Sequence, residues 1–254
     1  MGRIISVVNQ KGGVGKTTTT INLSACLAQE GKKVLVIDFD PQGNTTSGLG
    51  VDKHNLDASV YNLLLGEKRA DQVICPTVVE NLSILPANVE LAGAEIELIS
   101  FEEREYILKR ILVDMKYMYD YILIDCPPSL SLLTVNALTA SDTVLVPIQC
   151  EYFALEGLSQ LMYTIDLVRK RLNRRLELEG VVFTMYDSRT NLSAQVVEEV
   201  KQHLEKNVYR SIIPRNVRLS EAPSHGLPIT MYDPKSKGCE AYMALAQEVI
   251  SNSR

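Results

Sequence analysis

The chain lacks the marks of several protein classes. Its five cysteines, Cys26, Cys75, Cys126, Cys150 and Cys239, are odd in number and scattered. They supply neither a disulfide framework nor the paired spacing of a zinc site, and a reducing, cytoplasmic setting is expected. Cys26 and Cys126 sit in apolar runs and read as small core residues. No run reaches the roughly 18 apolar residues of a membrane-spanning helix, and the strand-like run at 4–8 starts too early for a signal peptide to be expected ahead of it. Positive charge is not in excess. Twenty-six Lys and Arg stand against 31 Asp and Glu, a net charge of -5, which argues against a surface that binds nucleic acid all over and leaves room only for a local basic patch. No internal repeat, low-complexity tract or linker interrupts the 254 residues. One domain over 1–254 is expected, large enough to bury a sizeable core.

What the chain does have is short, continuous apolar runs alternating with helical patterns. Runs at 4–8, 34–37, 82–85, 121–124, 143–148, 180–185 and 211–213 read as strands of a parallel sheet covered on both faces. Helices are expected over 16–29, 60–65, most of 88–115, 131–139, 154–172, 191–206 and 239–250. In the first, Ile21, Leu23, Cys26 and Leu27 form a buried stripe and Gly31 ends the helix. In 88–115, Glu102 with Arg104 and Glu105 with Lys109 are expected to pair on a solvated face without chemistry. The cations Arg169, Lys170, Arg171, Arg174 and Arg175 gather where 154–172 ends, a place where positive charge complements the helix dipole. Residues 45–80 carry little pattern.

The stretch Gln10-Lys11-Gly12-Gly13-Val14-Gly15-Lys16-Thr17-Thr18 lies between the first strand and the first helix, the context a phosphate loop requires. Glycines let successive N–H groups face an anion, and the helix N-terminus adds its dipole. Lys16 is then the cation for the β- and γ-phosphates, and the Thr17 hydroxyl is a Mg²⁺ ligand. Gln10 stands where the usual pattern has its first glycine, and Lys11 is a surplus cation.

Two acidic motifs accompany the loop. Asp38-Phe39-Asp40-Pro41-Gln42-Gly43-Asn44 follows the second strand, at the carboxyl edge where ligands bind such sheets. Two readings stand for it at this point: a pair of chemical carboxylates, or a polar turn in which Asp38 is a cap. Ile124-Asp125-Cys126-Pro127-Pro128 ends another strand in a carboxylate suited to the water shell of Mg²⁺, and its prolines stop the strand.

Together these three motifs resemble the deviant Walker A ATPases, and within them the ParA/Soj chromosome-partitioning branch. Cys150-Glu151-Tyr152-Phe153-Ala154-Leu155-Glu156-Gly157-Leu158, Asp187-Ser188-Arg189-Thr190-Asn191 and the stretch from Ile213-Pro214-Arg215-Asn216-Val217-Arg218 to Gly226 extend the likeness. The resemblance implies an α/β fold, a doubly wound, mostly parallel sheet flanked by helices. It implies a Mg²⁺-dependent ATPase that closes as a homodimer around ATP. By the same resemblance the nucleotide is held by residues 11–18 (Lys11, Gly12, Gly13, Val14, Gly15, Lys16, Thr17 and Thr18), with Pro214 and Asn216 at the adenine. Asp125, Thr17 and Asp38 surround Mg²⁺. Lys16 and Asp40 are catalytic, Asp40 by orienting the attacking water, and Lys11 reaches phosphate across the dimer interface.

The resemblance further implies non-specific binding of double-stranded DNA through Arg189 and Arg218, a ParB-type centromere-binding partner that stimulates hydrolysis, and a nucleoid-associated place in the cytoplasm. A surface salt bridge is the plain alternative for each arginine. Two other jobs are open to such a switch. A MinD-like, membrane-associated division-site ATPase would end in a basic amphipathic helix, whereas this chain ends Gln247-Glu248-Val249-Ile250-Ser251-Asn252-Ser253-Arg254, so no membrane is expected. A redox protein like the nitrogenase iron protein needs accessible paired cysteines, for which Cys126 and Cys150 are the candidates.

Overall fold

The computed structural model describes residues 1–151, 154–204 and 207–252. Tyr152 and Phe153 of the quoted 150–158 stretch, the expected helix end at Lys206, and the closing Ser253 and Arg254 lie outside them.

Eight strands form one sheet: β1 (Arg3–Val7), β2 (Val34–Asp38), β3 (Cys75–Pro76), β4 (Leu82–Leu85), β5 (Tyr121–Asp125), β6 (Thr143–Gln149), β7 (Glu177–Tyr186) and β8 (Val208–Pro214). Their order is β3-β4-β2-β5-β1-β6-β7-β8. Every pairing is parallel except that of the two-residue β3 with β4. The helices are α1 (Lys16–Gln29), α2 (Asn44–Gly48), α3 (Val60–Leu64), α4 (Ala70–Val73), α5 (Leu91–Glu97), α6 (Ile107–Met115), α7 (Leu132–Ala140), α8 (Ala154–Arg171), α9 (Asn191–Leu204), α10 (Val217–Glu221), α11 (Ile229–Tyr232) and α12 (Lys237–Asn252). This is the doubly wound, mostly parallel sheet that the apolar runs predict.

Alternation along each strand divides the core in two. Ile4, Ile37, Ile122, Ile124 and Val146 face the layer containing α6 to α9. Ile5, Val36, Leu123 and Leu145 face α1 and α12. A strand buried on both faces has no polar side to display, which is why these runs read as continuous hydrophobic stretches.

Two expectations are corrected. Burial of helix α1 extends beyond the expected stripe: Ile21, Leu23, Cys26 and Leu27 are inaccessible, and so are Thr19, Thr20 and Ser24. Helix α12 covers its outer side, with Tyr242 Oη within hydrogen-bond distance, 3.1 Å, of Thr19 Oγ1. The segment 88–115 is two helices. Phe101 is extended (ψ 135°) and Glu103 is left-handed (φ 50°), which breaks the run between α5 and α6. The expected charge pairs change accordingly. Arg104 meets Glu105 at 3.2 Å and Arg110 meets Glu103 at 3.2 Å, while Lys109 lies over the Tyr106 ring. Among the described residues no helix is long and apolar enough to cross a membrane.

Candidate active site

The switch in strand order beside β1 puts the β1–α1 loop at the carboxyl edge of the sheet, with β5 and β6 on its two sides. Asn9 anchors the loop: its Nδ2 donates to Pro147 O at 2.8 Å and its Oδ1 accepts from Lys11 N at 3.0 Å. Gly13 (φ 76°) and Gly15 (φ 89°) are left-handed, a region that penalises a Cβ. Gly15 is also the residue from which α1 starts. Lys16 is only 7% exposed, and its Nζ donates back to Lys11 O at 3.2 Å. Burial lowers the pKa of its ammonium, opposed by the nearby Asp125, Cys126 and Asp40.

Register brings the carboxylates to the same edge. Val7 pairs with Asp125, and Asp125 with Asp38. Asp125 is wholly buried. Its Oδ2 accepts from Thr17 Oγ1 at 2.7 Å and from Thr45 Oγ1 at 2.7 Å, and its Oδ1 from Thr20 Oγ1 at 3.3 Å. Burial pushes its carboxyl up to about 6, against the pull of the Thr45 and Thr17 hydroxyls. Asp38, also wholly buried, is pushed up to about 7, by burial first and by Asp125 next. Both buried carboxyls therefore resist ionisation.

The two readings of Asp38 are both present in the geometry. It is a cap: its Oδ2 accepts from Thr46 N at 2.8 Å and Thr46 Oγ1 at 2.6 Å, in the first turn of α2. It is also the register neighbour of Asp125. Asp40 stands further out and is partly exposed. Its Oδ1 accepts from Gln42 N at 2.9 Å, and its charge is felt by both Lys16 and Asp125.

Beside the loop lies a cavity of about 160 Å³ lined by Gly15, Thr18, Thr184, Met185, Pro214 and Asn216, among others. Asn216 caps α10, its Oδ1 accepting from Arg218 N at 2.8 Å, and Pro214 ends β8. Ile213, Pro214, Arg215, Asn216 and Leu219 therefore line one side of a slot that Gly15 and Thr18 line on the other.

The remaining candidates lie apart from this cluster. Lys11 is 43% exposed at the front of the loop and forms an ion pair with Glu151 of its own chain. Arg189 is bound by Asp187 through two bonds, Nε to Oδ1 at 2.9 Å and an Nη to Oδ2 at 2.7 Å. Hydrogen bonds from Arg189 hold the Asp187 carboxyl down at about 2. Arg218 pairs with Glu221 at 2.9 Å and Asp233 at 3.4 Å. Cys126 and Cys150 are both buried, and burial raises the pKa of each thiol, so neither is an accessible cluster ligand.

Several residues of the site carry no mark in the sequence reading. Thr45 and Thr46 fall in the stretch with little pattern, yet they hold Asp125 and Asp38. Thr184 lies in an apolar strand, yet its hydroxyl reaches the phosphate loop. The available signal for the first two was position alone, in the turn that follows Gly43-Asn44.

Comparison with known proteins adds independent support. A family model described as an AAA domain matches residues 2–178. The sporulation initiation inhibitor protein Soj of Bacillus subtilis is 60% identical over 252 residues, covering 99% of this chain and 100% of the relative. The chromosome-partitioning ATPase Soj of Treponema pallidum is 51% identical, covering 99% and 98%. A crystal structure of cobyrinic acid a,c-diamide synthase from Mycobacterium smegmatis with bound ADP and magnesium superposes with a TM-score of 0.88 at 41% identity, covering 100% of this chain and 96% of the other. With the loop, the two strand-end carboxylates and the sheet order in place, the chain belongs to the ParA/Soj family of chromosome-partitioning ATPases.

Proposed function

We propose that residues 1–254 act as one ATP-driven partitioning switch, in which ATP closes two copies into a homodimer, the dimer binds double-stranded DNA without sequence preference, and a ParB-type centromere-binding protein stimulates hydrolysis and release. The supporting observation is the meeting of Lys16, Thr17, Asp125 and Asp40 at one end of the sheet, beneath a loop with two left-handed glycines. The donor set suits magnesium, a hard cation that takes oxygen ligands. Thr17 and Asp125 would hold it, directly or through water, with Asp38 fixing the 38–46 segment behind them. When bound, the ion neutralises charge on the β- and γ-phosphates.

Lys16 binds the phosphates as a buried cation. Asp40, outside the tight cluster, accepts a hydrogen bond from the attacking water and orients it. Pro214 and Asn216 border the base. Lys11 serves the partner's nucleotide. In the single chain it is held by Glu151, but both side chains are near half exposure, and such pairs contribute only about 0–1 kcal/mol. Closure can therefore take Lys11 from Glu151 at little cost.

Gly12 supports the closure step. Among the described residues, no atom beyond its chain neighbours lies within 4 Å of the place a Cβ would occupy, and its backbone is not left-handed. Gly12→Val is expected to fold and bind ATP while remaining monomeric, as read by light scattering with and without ATP. A normal ATP-dependent dimer in that variant argues against a partner chain approaching here.

DNA binding is assigned to Arg189 and Arg218. Each is compensated by acids of its own chain, and both guanidinium groups are exposed. DNA phosphates therefore compete with weak surface pairs, and a dimer presents each arginine twice. Arg189→Glu should still dimerise with ATP but lose DNA affinity, and its salt slope should fall by roughly 0.9 for each phosphate no longer neutralised. An unchanged slope would remove this face. The function as a whole is tested by DNA retention with ATP, with ADP and without nucleotide. Binding that ignores the nucleotide contradicts the switch. In the last turn of α12 no basic residue appears among the described positions, and nothing there favours the membrane-associated alternative.

A further inference from the structure

The end of β7 touches the phosphate loop at one point. Thr184 is 2% exposed, and its Oγ1 donates to Val14 O at 2.8 Å across 170 residues of sequence. That carbonyl belongs to the peptide joining Val14 to Gly15. A trans peptide is planar, with its C=O and N–H on opposite sides. Holding the Val14 carbonyl toward β7 therefore turns the Gly15 N–H the other way, away from β7. Gly15 (φ 89°), on one side of this peptide, has the conformational freedom to let it turn. The hydroxyl supplies the restraint that this glycine lacks. The rest of the side chain supplies a wall: a Cβ on Gly15 would stand 3.6 Å from Thr184 Cγ2.

The same strand end leads directly to the arginine assigned to DNA. Met185 is left-handed (φ 49°), an uncommon state for a long side chain that persists only where its surroundings enforce it. There the β7–β8 register shifts, between Phe183 and Tyr186. Tyr186 O accepts from Arg215 N at 3.0 Å, beside Pro214 and Asn216. Asp187 then binds Arg189. From Thr184 to Arg189 the backbone has no glycine; Thr184 is tied to the loop, Tyr186 to Arg215 and Asp187 to Arg189.

We propose that Thr184 is a positioning residue that holds the phosphate loop in its anion-binding form and transmits nucleotide occupancy to the Arg189 loop. The second half rests on the DNA-binding function proposed above; the first half does not.

The test compares wild type with Thr184→Val, which keeps the β-branched shape and deletes the hydroxyl, and with Thr184→Ser, which restores it. Apo-protein thermal unfolding checks folding, and Thr184→Ala replaces the valine variant if that one does not fold. Leaving a buried carbonyl without its donor is expected to weaken ATP binding by about tenfold, with serine recovering most of the loss. At saturating ATP, with the dimer confirmed by light scattering, the gain in DNA affinity of ATP over ADP is expected to shrink by a similar factor in valine and to return in serine. Wild-type ATP affinity in the valine variant overturns the positioning role. Weakened ATP binding with a full DNA gain at saturation overturns the transmission. A wild-type protein with no ATP-dependent DNA gain defeats the DNA-binding function instead, and the ATP arm still decides Thr184.

Discussion

Replacing Lys16 by alanine is expected to abolish ATP binding while leaving a folded protein. The residue is nearly inaccessible, and its Nζ is held over the loop by Lys11 O at 3.2 Å. Beside it stand Asp125 and Asp40, with Asp125 wholly buried. Lys16 opposes the rise of the Asp125 pKa, so it is part of that carboxylate's electrostatic balance. Without the ammonium a polyanionic nucleotide meets carboxyls and backbone N–H groups alone. Deleting one partner of a buried charged contact costs about 3–5 kcal/mol, or roughly two to three and a half orders of magnitude in affinity. Calorimetric titration with ATP measures this directly. Unchanged affinity would sink the assignment of the loop. The apo fold loses less, because burial already disfavours the charged amine.

Asp40→Ala is expected to separate binding from turnover. Asp40 lies outside the hydrogen-bonded group formed by Thr17, Thr20, Thr45 and Asp125, and its carboxylate accepts from Gln42 N in the following turn, while only its backbone N–H reaches Asp38. Its removal leaves the cradle and the cation site standing. It also takes one negative charge from beside Lys16, which does not oppose nucleotide binding. Hydrolysis should fall by about 10²–10⁴-fold, the usual contribution of a positioned proton acceptor, while ATP affinity and ATP-dependent dimer mass stay near wild type. Phosphate release under single-turnover conditions gives the first number and light scattering the second. Normal turnover would remove Asp40 from the mechanism.

The legible parts of this protein are those whose physics is local. The phosphate loop is a contiguous run, so glycine spacing, the flanking strand and the following helix all appear within about thirty positions. The strands are legible because burial on both faces makes them continuous apolar runs. Legibility fails where partners are distant or conformation depends on context. The helical periodicity of 88–115 gives no hint that Glu103 would turn left-handed and divide it. The stripe expected on α1 underestimates burial, because the helix that covers its other side, α12, comes more than 200 residues later.

Taken alone, the sequence determined the fold class, the phosphate loop, the acidic strand ends and the resemblance that names the family. Each depends on residue types at short spacing, or on chain-long likeness. Tertiary structure alone decided which side chains meet. Thr17 lies 108 positions from Asp125, Thr45 80 from it, Lys11 140 from Glu151 and Thr184 170 from Val14. The order β2-β5-β1-β6-β7 makes neighbours of strand ends far apart in sequence, and no local pattern encodes that order. The surplus Lys11 shows the difference most clearly. Its position in the loop marks the family, but only the fold shows that its charge is paired with Glu151 of the same chain.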